Sequence, residues 1–150
     1  MDIELISKIV DYAIMGILGF MSFLTLFFWI ERVLFFRKLD ISKYSTKERL
    51  EIDITNNISI LSSFGANAPY VGLLGTVLGI IVTFYTLGES GNLDVKSIMT
   101  SLALALKATA MGLAVAIPAI FFYNHLIRKV DVILAKWEIL ERRRGEAKKV

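Results

Sequence analysis

Three stretches of the chain carry almost no charge, and the charged residues crowd between and around them. No charged residue lies from Tyr12 to Ile30 or from Ile54 to Gly88, and from Ser97 to Ile127 the one charge is Lys107. A helix needs roughly 20 apolar residues to cross the hydrocarbon core of a bilayer. Each stretch meets that length, so the pattern predicts an all-α membrane protein with three transmembrane helices, at about 10–36, 65–87 and 98–127. A soluble bundle is excluded because too little polar chain remains to cover three such helices. The whole chain, 1–150, reads as one membrane domain with a cytoplasmic segment at 37–64 and a cytoplasmic tail at 128–150.

Local patterns refine this frame. The first span is bulky all round ("FMSFLTLFFWI") and suits a lipid-facing helix, with Trp29 and Arg32 suited to the membrane interface. "STKE", Ser45 to Glu48, matches a capping box. Leu50, Ile54, Ile58 and Leu61 then recur at helical spacing, which predicts a helix packed on its neighbours. The link "GESGNLDVK" is short and turn-like, so spans two and three form an antiparallel hairpin. Val130, Ile133, Leu134, Trp137 and Leu140 repeat the helical period beyond the third span. That helix is expected to continue out of the membrane with an apolar face, bundled with identical neighbours.

Composition narrows the function. The 150 residues are 55% hydrophobic with a mean hydropathy of +0.62, too apolar for an ordinary soluble domain. The leader "MDIELISK" is acidic, the first run is too long and no small-x-small site follows, so it reads as a retained helix rather than a cleaved signal. There is no cysteine, and His125 is the only histidine. Thiolate sites are therefore absent, and histidine-based metal or nucleophile sites have no material to be built from. No enzyme, metal or cofactor is expected. Before the first span the only Lys or Arg is Lys8, and the second link has only Lys96. Residues 31–53 hold six such residues, and the tail from Arg128 holds eight. The positive-inside rule then predicts a periplasmic N-terminus and a cytoplasmic C-terminus. Asp131, Glu138, Glu141 and Glu146 interleave with the basic tail, which argues against nucleic acid as its partner.

Lipid offers no hydrophobic drive for helix association, so small residues at close-packed faces must supply it. Ser101, Ala105, Ala108, Thr109, Gly112, Ala116 and Ala119 fall on one face of span three. Ala103, Ala110 and Ala114 form a second small stripe nearly opposite, with Lys107 on it. In span two, Gly72, Thr76, Gly79 and Thr83 share a face, and Gly75 with Gly79 makes a GxxxG. A helix small on two faces is expected to lie between other helices, so the chain should oligomerise or embrace a partner's helix. Lys107 lies about 160° around the helix from Thr109. It is the single intramembrane charge of the pattern and is expected to snorkel, be hydrated or meet a structural contact, rather than share a pore with Thr109; an electrostatic gate acting on a partner's carboxylate is the alternative.

"APYVGLLGTVLGI" (68–80) followed by "KATAMGLAVAIPAIFFYN" (107–124) resembles the ExbB/TolQ proteins, relatives of the flagellar stator MotA. The likeness is close over residues 66–124 and extends in topology to the whole chain. It implies a pentameric ring in the bacterial inner membrane, with spans two and three lining a pore. It further implies that the pore holds an ExbD-like single-span partner, whose aspartate passes protons and whose motion energises TonB. On the same resemblance Thr76 and Thr109 line the pore. The family's glutamate five residues before the second threonine is replaced by Leu104. The apolar runs hold no Asp or Glu, so a partner is expected to bring the carboxylate. A TolQ-like role in envelope maintenance, a self-sufficient transporter relying on Lys107 and a purely structural scaffold are the alternatives.

Overall fold

Four helices make up nearly the whole chain in the computed structural model, which describes residues 3–91 and 94–149. They are α1 (Ile3–Lys38), α2 (Lys47–Thr55), α3 (Ile58–Ser90) and α4 (Val95–Ala147), with one 3-10 turn at Ile41–Lys43. At 1.5 Å per residue α1 and α3 are about 50 Å long and α4 about 80 Å. All three exceed a hydrocarbon core of about 30 Å. Three helices are thus long and apolar enough to cross a membrane. All of them run on past the lengths expected for the spans alone.

The α3–α4 hairpin is the spine of the fold. Its turn is closed by Gly91, whose φ of +61° suits glycine and whose N–H donates to the Leu87 carbonyl at 3.3 Å. Residues 92 and 93 of the link lie outside the described residues. Asp94 then caps α4, accepting from the Lys96 and Ser97 amides at 3.3 and 3.1 Å. The Ser97 hydroxyl and amide hold the Asp94 carboxyl below its ordinary range.

α1 lies against the hairpin through one stripe. Ile14, Leu18 and Met21 are buried with Ala68, Val115 and Ala116. Its other sides expose Phe20, Phe23 and Phe27, as suits a lipid-facing helix. At the far end from the turn, a second core joins Leu50, Ile54, Ile58, Leu61, Leu126 and Val130. We call these the turn end and the extension end.

The extension end departs from the sequence pattern in four ways. The Leu50–Leu61 stripe is buried as expected, but its helix breaks at Asn57, which takes the left-handed φ of 62°. Asparagine tolerates that region better than most residues. Thr46 rather than Ser45 caps α2, accepting from the Arg49 amide at 3.4 Å, so the N3 position falls on Arg49 instead of Glu48 and the expected capping box does not form. Arg32 turns into the fold: it is 4% exposed and donates to the Asp53 carbonyl at 2.9 Å. Glu31 supplies its counter-charge, and its guanidinium lies over the Phe35 ring. Finally, the apolar face of the α4 extension is partly covered by the chain's own segment. Val130 is buried there, Ile133, Leu134 and Trp137 pack beside it, and Trp137 Nε1 donates to the Tyr44 carbonyl at 3.3 Å.

Candidate functional site in the spanning bundle

Thr76 of α3 and Thr109 of α4 meet inside the hairpin. Their Oγ1 atoms are 2.6 Å apart, and Thr76 Oγ1 also donates to the Ala105 carbonyl at 3.0 Å. A threonine in a spanning helix ordinarily bonds back to the carbonyl four residues earlier. For Thr76 that contact, to Gly72, is a long 3.4 Å, and the two shorter contacts both cross to α4. Ala105 is also the residue four before Thr109, so Thr76 takes the acceptor that Thr109 would use. Thr76 is 6% exposed and Thr109 is half-buried, which leaves the pair open on the Thr109 side.

The two hydroxyls meet because the backbones around them nearly touch. A Cβ on Gly72 would fall 2.6 Å from the Ala108 carbonyl oxygen, and one on Gly112 would fall 2.6 Å from the Ala68 carbonyl oxygen. Gly75 faces Ala108 and Ile14, where α1 joins the hairpin, and Gly79 faces Ala105. Ala116 is 2% exposed in the same seam. The second small stripe differs: Ala103, Ala110 and Ala114 are exposed.

A cleft of about 500 Å³ opens between α1, α3 and α4 at the turn end. Asp94 stands at its mouth, and Ser97, Ser101, Thr83, Thr86 and Asp11 give it a polar wall. Its lining reaches Gly79 and Ala105, the latter bonded by Thr76. From Asp94 to Ala105 is eleven residues of helix, about 16 Å.

Asp11 is the residue the sequence pattern missed. It stands one position before the uncharged run, yet α1 carries it into the cleft wall. It also lines a smaller cavity of about 120 Å³ together with Lys107. Lys107 is exposed and lines this cavity, whereas the Thr109 hydroxyl meets Thr76 across the seam. Leu104, where the resemblance puts a glutamate, lines both cavities. The one signal for Asp11 in the sequence is its place at the border of an otherwise apolar helix.

A hydroxyl donates and accepts hydrogen bonds but does not titrate near neutral pH. The Thr76–Thr109 pair can therefore orient water or hold a carboxylate, while the titrating group has to be another residue. Among the described residues no three His, Cys, Asp or Glu side chains gather as a metal site.

A partly polar cleft that runs along a spanning bundle as far as Ala105, whose carbonyl Thr76 bonds, suits a membrane protein that admits water between its helices. Residues 30–139 match the MotA/TolQ/ExbB proton channel family, and the chain belongs to that family. It is 52% identical to the biopolymer transport protein ExbB of Helicobacter pylori strain J99, over 93% of this chain and 97% of that one. It is 51% identical to the biopolymer transport protein ExbB of Aquifex aeolicus, over 91% and 93%. A putative biopolymer transport protein, ExbB-like 2, of Helicobacter pylori strain 26695 is 48% identical over 89% of each chain.

Proposed function

We propose that this chain is the ring-forming subunit of an inner-membrane energiser that turns proton flow into work on a TonB-like protein, and so drives transport across the outer membrane. The observation that carries the reading is the Thr76–Thr109 hydroxyl pair, seated between two helices of a proton-channel family member. Its relatives are named for biopolymer transport. In this reading five copies form a ring, with the open side of the hydroxyl pair toward a central pore. An ExbD-like single-span protein occupies that pore and brings the aspartate that exchanges protons beside the hydroxyls. The exposed stripe of Ala103, Ala110 and Ala114 supports close approach of a neighbouring helix, because small residues let backbones meet in lipid. The excess of Lys and Arg at the extension end supports a periplasmic turn and N-terminus and a cytoplasmic C-terminus. The turn-end cleft then opens to periplasmic water.

Co-expression and proteoliposome flux test this reading. The chain should co-purify with a single-span protein bearing a membrane aspartate, and proton uptake should need both. Flux from this chain alone, at the rate of the pair, would contradict the reading and favour a self-sufficient transporter.

A further inference from the structure

Where α1 and α4 leave the apolar region at the extension end, they enclose a groove of about 350 Å³. Arg37, Arg128, Lys129 and Lys136 line it, with His125 beside them and no carboxylate in the wall. Phe36 and Ile133 give it an apolar side that is continuous with the second core. Elsewhere at this end some of the basic groups are matched within the chain. Lys47 binds Glu138, Arg144 binds Glu141, and Arg32 binds Glu31. Among the described residues the four cations of the groove have no such ion pair.

Four like charges around one groove repel each other unless an anion sits among them. The level of the groove identifies that anion. Arg37 lies in the last turn of α1, and Arg128 is the first charge of α4 after the uncharged stretch from Ala108 to Ile127. Both therefore stand at the depth of the phosphates of the adjacent leaflet. We propose that this groove binds the headgroup of an anionic phospholipid, its phosphate held by Arg37, Arg128, Lys129 and Lys136 and its upper acyl chain resting on Phe36 and Ile133. Basic pockets between spanning helices are the known physical setting for such headgroups. The site clamps α1 to α4 from outside and owes nothing to the proton pathway.

The test compares the assembled protein in nanodiscs of phosphatidylcholine with nanodiscs in which phosphatidylglycerol replaces part of it. A ligand that binds only the folded state raises the melting temperature, here by an expected shift of about 2–4 °C. Arg128→Gln with Lys129→Gln should abolish the shift. Arg142→Gln with Arg143→Gln, the same change of charge farther along the tail, should leave it intact. Should the first pair fail to assemble, Arg37→Gln with Lys136→Gln replaces it, and native mass spectrometry counts the phosphatidylglycerol retained. Equal loss in the tail variant would overturn the proposal in favour of diffuse attraction. The full shift from inorganic phosphate in phosphatidylcholine nanodiscs would overturn it in favour of a free-anion site.

Discussion

The Thr76 hydroxyl lies 2.6 Å from the Thr109 hydroxyl, and together they form the polar point of a hairpin seam otherwise built of glycine and alanine. Thr76 reaches across the seam to the Ala105 carbonyl instead of resting on its own preceding turn. Such a cross-helix bond inside a membrane contributes about 0.6–1.7 kcal/mol. Thr76→Val should therefore lower stability by about 1 kcal/mol without dissociating the helices. A double-mutant cycle of thermal unfolding with Thr109→Val should return a coupling of the same size, whereas purely additive effects would show that the hydroxyls do not bond.

The seam itself depends on Gly112. A Cβ there would stand 2.6 Å from the Ala68 carbonyl oxygen and 2.9 Å from the Gly72 Cα, both backbone atoms that cannot turn aside. Overpacking typically costs about 1–3 kcal/mol. Gly112→Ala should fall in that range, and Gly112→Leu should disrupt the hairpin within the chain before any contact between chains. Gly16→Ala and Gly19→Ala, which meet nothing within 4 Å, serve as controls and should leave the melting temperature nearly unchanged. Wild-type stability of Gly112→Leu in detergent would contradict the close approach of α3 and α4.

Asp11 and Lys107 line one small cavity from α1 and α4, and each lies within a spanning helix. A lone lysine at mid-membrane costs about 2.5–3.5 kcal/mol on insertion scales. The two are expected to compensate each other, directly or through water. Lys107→Met should still assemble, with at most a modest loss of transport. Asp11→Asn should destabilise more than Asp11→Asn combined with Lys107→Met, and exchanging the two charges should recover much of the loss. If the effects of the two neutralisations simply add in thermal unfolding, the pair is not coupled.

The docking of α2 on the α4 extension should depend on pH at both extremes. Lys47 Nζ lies 2.5 Å from Glu138 Oε1, and that bond lowers the Glu138 pKa and raises that of Lys47. Glu138 contributes stability above its ordinary carboxylate value and loses it as pH falls through its lowered folded value. Lys47 contributes below its ordinary value and loses it as pH rises through its raised one. Both side chains are about half exposed, so the effect is small and screened by salt. Protection of the α2 amides, taken relative to their intrinsic exchange rate at each pH, should fall at the acid and alkaline limits, and Glu138→Gln should remove the acid limb. An unchanged acid limb in that variant would assign it to another carboxylate.

Much of this architecture was legible because a bilayer imposes a strict length and a strict polarity on each span. The three runs, the hairpin, and the placing of Thr76, Thr109 and Gly112 on small faces followed from period and composition. Whatever depended on one residue's partner did not. Asn57 breaks the Leu50–Leu61 stripe through a backbone angle that period cannot reveal. Arg32 reads as an interfacial cation until the Asp53 carbonyl and Glu31 are seen beside it. The α4 extension reads as a surface for neighbouring copies, and period alone does not reveal that residues 44–61 of the same chain take part of it. Asp11 fell outside a run defined by the absence of charge, although one turn of α1 suffices to place it in the cleft.

The measurement that bears most directly on the function is proton flux through proteoliposomes holding this chain and its single-span partner, comparing wild type with Thr76→Val/Thr109→Val. Valine keeps the shape of threonine and removes only the hydroxyl, and removing both partners of a bond leaves neither of them stranded. The double variant should assemble with its partner as wild type does while its proton flux falls severalfold. Full flux from a normally assembled double variant would contradict a role for the hydroxyl pair in the proton pathway.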